Sequence, residues 1–181
     1  MVETGVDADG SVTGPHRVDT SHPGLVDGLA DLWGRVTAAG GAVGFSPTDP
    51  VDRLRAAAAA LVEDVRAEKA HLITIGQQHV LVGLAVLRQR QLPVRTHTGE
   101  LAWLAVDPAL QRKGWGKRLL DAVLVQAQAI GLEKLDLVTR SGHDLERFYE
   151  AHGWVERGRW PGAVRVAAGD DRDEIWFTRD V

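Results

Sequence analysis

A mixed α/β fold, with a central sheet flanked by helices on both faces, is predicted by three features of this 181-residue sequence. Its second half alternates strand-like and helix-like segments. A glycine-rich turn joins one of those strands directly to a helix. The 44% hydrophobic content is enough for one substantial core in a chain of this length, which excludes a mostly disordered protein.

Residues 1–15 are polar and aperiodic and read as a flexible N-terminal tail, leaving a single domain over residues 16–181. Residues 16–20 fit a first strand. Residues 24–39 and 50–69 fit helices around a loop at 40–49, and the run Ala56 to Ala60 favours helix intrinsically. Residues 72–75 and 80–88 then fit two strands around a polar turn. Strand 100–106, helix 116–130, strand 134–139, helix 144–152 and strand 154–159 follow in turn, and residues 174–178 close the sheet. Ligands of such sheets favour the carboxyl ends of central strands, where the glycine turn lies.

In that turn Asp107-Pro108 stops the strand, and Gly114 and Gly116 remove two side chains where the helix begins. The first N–H groups of a helix have no intrahelical partner and attract anions, by roughly 0.3–1 kcal/mol per negative group near an exposed end. Arg112, Lys113 and Lys117 add positive charge, so the segment suits a pyrophosphate. It is not a Walker loop, because only Trp115 separates the glycines and Arg118 follows Lys117, leaving no hydroxyl for magnesium. A dinucleotide fingerprint fails at Leu119, where a third small residue is required. The competing reading is an ordinary glycine turn with a solvated basic flank.

A net charge of −4 argues against general nucleic-acid binding. No apolar run approaches the ~20 residues needed to span a bilayer, and the first residues lack a signal-like hydrophobic segment, so no membrane partner is expected. The absence of cysteine excludes disulfides, a thiol nucleophile and thiolate-bound zinc, and suits a cytoplasmic protein. The seven histidines show no ligand-like spacing, and no metal is expected. Ser141, His143 and Asp144 look superficially like hydrolase residues, but Ser141 and Asp144 fit a capping box at a helix start, and a nucleophile-elbow motif is lacking. The acidic run at residues 169–173 reads as a solvated loop.

Two ordered motifs carry a family resemblance. Gln111-Arg-Lys-Gly-Trp-Gly116, with Val106-Asp-Pro108 before it, resembles the cofactor-binding signature of the GNAT-type N-acetyltransferases. Phe148-Tyr-Glu-Ala-His-Gly-Trp154 is similar to that family's segment at the end of its last major helix. Within the family the chain looks closest to tabtoxin-resistance-type acetyltransferases, on Gly40-Gly-Ala-Val-Gly-Phe45 and Trp160-Pro-Gly162. The resemblance spans roughly residues 18–178.

What the resemblance implies is a mostly antiparallel sheet that splays between the strand ending at Val106 and the strand at 134–139, with acetyl-CoA entering the gap. Backbone groups of Leu104, Ala105 and Val106 would meet pantetheine, and amides across Gln111, Arg112, Lys113, Gly114, Trp115, Gly116 and Lys117 the pyrophosphate. Gly142 stands where the family often has a cofactor-contacting asparagine, so that contact passes to Ser141 or is lost. An acid of the tabtoxin-resistance type on the following strand is replaced by Val138, with Asp136 one pair earlier. A homodimer is also implied.

Acetylating an amine requires its uncharged form, and an alkyl ammonium with a pKa near ~10 is almost wholly protonated at neutral pH. Glu100 is the candidate general base, acting through water. Period-two geometry places Glu100, Ala102, Leu104 and Val106 on one face and Leu101, Trp103 and Ala105 on the other. Its alternative role is a solvated carboxylate at a strand start. Tyr149, the sole tyrosine, matches the family's acid for the departing thiolate; its alternative is a core ring with its hydroxyl satisfied by backbone. Phe45, Trp103 and Trp160 are the candidate walls of the acceptor pocket, with core packing as the alternative for each. The expected activity is direct acetyl transfer from acetyl-CoA to a primary amine, on a small molecule such as an antimicrobial or toxin, with protein N-termini and lysines as the alternative acceptors. The competing class is a non-catalytic acyl-CoA sensor.

Overall fold

The computed structural model describes residues 11–77, 79–142 and 144–181. Its strands are β1 (Val12–Arg17), β2 (Ala70–Gln77), β3 (Val80–Gln89), β4 (Thr98–Val106), β5 (Lys134–Arg140), β6 (Val155–Ala167) and β7 (Asp170–Asp180). Four helices join them: α1 (Leu25–Ala38), α2 (Val51–Arg66), α3 (Trp115–Ala129) and α4 (Leu145–Ala151). One seven-stranded sheet runs in the order β1-β2-β3-β4-β5-β7-β6, and only the β4–β5 pair is parallel.

Alternation along the strands sorts the core into two layers. Ile73, Ile75, Ala85, Leu87, Leu135, Leu137, Ile175 and Phe177 face α3 and α4, while Leu72, Leu84, Val86 and Ala105 face α1 and α2. α1 buries Leu25, Leu29, Leu32, Trp33 and Val36, the spacing of one helix face. Each large apolar side chain taken fully out of water contributes about 1.5–3 kcal/mol. The α1–α2 layer draws its strand residues from β2, β3 and β4. Beyond it, Val138, Val155, Trp160 and Trp176 are exposed.

Three expectations are corrected. β1 begins at Val12, inside the stretch assigned to the tail, because Pro15 sits beside a register shift on an edge strand, where a missing N–H is tolerated. The strand expected to end at residue 159 runs on as the 13-residue β6, and the acidic run opens β7, so the two strands form a long hairpin. The period-two assignment for β4 fails at a bulge. Val86 pairs with Trp103 but Leu87 pairs with Leu101, which leaves Ala102 as an extra residue. Glu100 therefore shares a face with Trp103 and Ala105, opposite to Leu101, Leu104 and Val106.

His71 on β2 is buried against Gln89, with the two side-chain nitrogens 2.8 Å apart. Desolvation, then the nearby Arg17, holds its imidazole below the ordinary value, against a smaller opposing pull from Glu68. A lowered folded-state pKa favours the neutral ring. The stability it contributes is thus present above about pH 6.5 and lost as pH falls through the folded value. His71→Gln is expected to flatten the decline of the thermal midpoint below about pH 6.5, read by calorimetry; an unchanged slope would assign that decline to other groups.

Candidate active site: a forked sheet beside an uncapped helix

β4 and β5 pair through only three residue pairs, Thr98 with Lys134, Gly99 with Leu135 and Glu100 with Asp136. Past Glu100 they diverge, so the edge of β4 from Leu101 to Val106 opens toward β5. The bulge at Ala102 lies just beyond the vertex and interrupts the ladder there. An open edge offers backbone N–H and C=O groups to an extended ligand carrying amides.

The turn that follows is held from beneath. Asp107 accepts from the Ala109 N–H at 3.0 Å and from Arg35 Nε at 2.7 Å, and Arg35 Nη2 also donates to the Leu81 carbonyl. The Gln111 amide donates to the Val106 carbonyl at 3.1 Å, so this side chain braces the turn while its backbone stays at the rim. Gly114 is the N-cap of α3 at φ 84°, and no side chain caps the helix. The amides of Trp115, Gly116 and Lys117 are consequently left to an external acceptor. A Cβ on Gly116 would stand 3.2 Å from the Phe148 ring, which shows how closely α4 packs beneath the start of α3. Arg112 and Lys113 are exposed, Lys117 pairs with Asp121 at 2.6 Å, and Arg118 lies over Trp115 at 4.5 Å. Uncapped amides, a left-handed glycine and flanking cations fit a pyrophosphate, and the open β4 edge fits the amide-bearing arm of coenzyme A.

At the vertex, Arg90 Nη2 lies 2.6 Å from Asp136 and 3.4 Å from Glu100, so both carboxylates share one guanidinium. Tyr149 is buried among Phe148, Trp154 and Phe177, with ring centroids 5.2, 6.0 and 5.7 Å away. Burial pushes its phenol above the ordinary value, which keeps it protonated.

On the opposite face from α3, a cavity of about 410 Å³ opens between the α1–α2 loop, the end of β5 and the β6–β7 hairpin. Phe45 lines it and packs on Trp33, which in turn packs on Trp103. Trp103 is a strut rather than a wall: its indole donates to the Val43 carbonyl at 3.2 Å, supporting the loop that carries Phe45. Trp160 is 61% exposed on β6 and is not part of the cavity lining.

Ser141 is not a helix cap. Its hydroxyl accepts from the Asp173 N–H at 3.0 Å, and its own N–H donates to the Asp173 carbonyl. Asp144 is the α4 N-cap in a left-handed conformation with no side-chain cap bond, so the expected capping box is absent. His143 lies outside the described residues. Sequence reasoning missed Arg90, Thr37 and Arg140. Stepping by two from Asp136 through Val138 reaches Arg140 on the cavity face, a signal that was available; nothing in the sequence pointed to Thr37.

Residues 43–154, more than half of the chain, match the model of the acetyltransferase (GNAT) family. The chain belongs to that family. Solved structures agree in fold. The acetyltransferase of GNAT family from Streptococcus pneumoniae superposes with a TM-score of 0.75 at 15% identity, covering 94% of this chain and 99% of that one. For yncA from Salmonella typhimurium, solved with its cofactor acetyl-CoA, the TM-score is 0.72 at 19% identity over 94% and 92% of the two chains. Ribosomal-protein-alanine N-acetyltransferase from Brucella melitensis gives 0.74 at 13% identity over 94% and 99%. Among the described residues, no helix is long and apolar enough to cross a membrane.

Proposed function

We propose that this chain is a single-domain N-acetyltransferase that moves the acetyl group of acetyl-CoA directly to a primary amine of a small molecule. The observation that carries it is the fork between β4 and β5 beside an uncapped α3, with a separate cavity opening from the other face. The cavity is bordered by the end of β5, the other arm of the fork, so a donor on the β4 edge and an acceptor in the cavity can meet between the two strands, an arrangement that suits direct transfer in a ternary complex.

When bound, acetyl-CoA supplies the acetyl group as a thioester. The backbone of Leu104 to Val106 holds the pantetheine arm, and the amides from Arg112 to Lys117 hold the pyrophosphate, with Gln111 bracing the turn. Glu100 accepts the proton released by the acceptor's ammonium, through water, from a position at the vertex that Arg90 fixes. Tyr149, kept protonated by burial, donates to the departing sulfur. Phe45 forms one wall of the acceptor cavity, supported by Trp103. Ser141 keeps its link to β7 and supplies its hydroxyl hydrogen to the cofactor side. The narrower kinship with tabtoxin-resistance-type enzymes rests on the sequence segments around Phe45 and Trp160. A cytoplasmic homodimer is part of the same reading, with its association state read by sedimentation.

The test is calorimetric titration with acetyl-CoA, followed by thiol release across a panel of amines. Binding with release supports the transferase. Binding without release over the whole panel favours the sensor, and no binding overturns both.

A further inference from the structure

The cavity on the acceptor face holds an arginine that its surroundings do not neutralise. Arg140, at the end of β5, is only 9% exposed and lines that cavity. One of its N–H groups, on Nη2, donates to the Gly40 carbonyl, which fastens the α1–α2 loop to the sheet. A guanidinium has five N–H donors, and among the described residues Arg140 has no carboxylate within ion-pair distance. The other two arginines of the cavity are already matched, Arg53 by Asp49 at 2.9 Å and Arg165 by Asp171 at 2.7 Å.

A second, independent observation comes from α1. Thr37 lines the same cavity, is 4% exposed, and its Oγ1 is buried with no hydrogen-bond partner among the described residues. Buried hydroxyls are rarely left so, and such a group commonly marks the place of a missing ligand or water. Glu174 completes the set. It also lines the cavity and stands directly opposite Arg140 in the β5–β7 ladder, so the two side chains project from the same face. Desolvation, then repulsion from Arg172, lowers the Arg140 pKa, and Asp170 offsets only part of this. An anion in the cavity would relieve that cost.

We infer that the acceptor is an amino acid or close analogue, whose carboxylate is bound by Arg140 and the Thr37 hydroxyl, leaving its amine free to meet the acetyl group at the fork. A planar carboxylate matches the fork of a guanidinium with two parallel hydrogen bonds, and Thr37 adds a third donor. The cavity volume of about 410 Å³ suits a small molecule. A polycationic acceptor would leave Arg140 unpaired and face its repulsion. The inference rests on the transferase reading and narrows its substrate class.

The protein is loaded with CoA, so that no turnover occurs, and titrated calorimetrically with alanine, methionine, phenylalanine, lysine and histidine, each beside its carboxamide. At least one amino acid is expected to bind tenfold or more tightly than its carboxamide. Arg140→Met should bring that ratio close to one, Arg140→Lys should leave it intermediate, and Thr37→Val should lower it severalfold without loosening the Gly40 tie. Equal affinity of acid and carboxamide, or no binding of either to the CoA-loaded protein, overturns the inference and leaves the cofactor site standing. A fall of both affinities together in Arg140→Met overturns it as well, since a purely structural arginine would act that way. Wild-type protein that takes up neither CoA nor acetyl-CoA overturns the transferase reading and this one with it.

Discussion

Gly114→Val is expected to weaken acetyl-CoA binding by about tenfold or more while the fold survives. Gly114 caps α3 at φ 84°, in the left-handed region that a β-branched residue adopts only under strain. Nothing lies within 4 Å of where its Cβ would stand, so the effect is conformational and not steric. A strained backbone position costs on the order of 1–3 kcal/mol, and 1.4 kcal/mol corresponds to about tenfold in affinity. The chain can relieve that strain only by rotating the turn, which re-aims the amides of Trp115 to Lys117. Calorimetric titration with acetyl-CoA reads the loss, and a thermal melt reads the fold. Unchanged affinity would show that these amides do not form the pyrophosphate cradle. Gly116→Ala provides the contrast: its φ is not left-handed, and its Cβ would crowd Phe148 at 3.2 Å, so it should disturb α4 before it disturbs the turn.

The glycine turn was legible in the sequence because its chemistry is local. Asp107-Pro108 and two glycines before an apolar-periodic run specify a strand end, a turn and a helix start within a dozen residues, and the structure shows each. The misplaced elements share one physical cause. Pro15 in β1, and Pro161 with Gly162 in β6, read as breakers, yet both strands lie at the edges of the sheet and absorb such residues at shifts of register. The face of Glu100 was lost in the same way, since one extra residue at Ala102 inverts every alternation beyond it. Strand register is set by the partner strand, which a local pattern does not contain. The acceptor cavity is harder still. Arg140, Thr37 and Glu174 come from β5, α1 and β7 and meet only when the fold closes.

Glu100→Gln is expected to lower kcat by about 10²–10⁴, the usual span for loss of a general base, with acetyl-CoA affinity unchanged. The fold should tolerate it, because Arg90 keeps its closer partner Asp136 at 2.6 Å when the Glu100 carboxylate at 3.4 Å is neutralised. Asp136→Asn is the control for the shared guanidinium. If the rate falls there and not in Glu100→Gln, the proton goes to Asp136. Tyr149→Phe separates the acid from the base. Burial raises the phenol's pKa, so the hydroxyl remains a proton donor throughout the pH range in which an ordinary tyrosine, with a pKa of about 10, would begin to ionise. Wild-type activity should therefore show no alkaline limb from Tyr149 below about pH 10, and Tyr149→Phe should reduce kcat by a similar factor across the profile. A wild-type rate that collapses between about pH 8 and 9, with the collapse abolished in Tyr149→Phe, would mean that the phenol ionises where its burial forbids it. Such a limb would still assign the donated proton to Tyr149, with its hydroxyl reached by water, whereas a kcat unchanged in Tyr149→Phe would take the phenol out of the reaction.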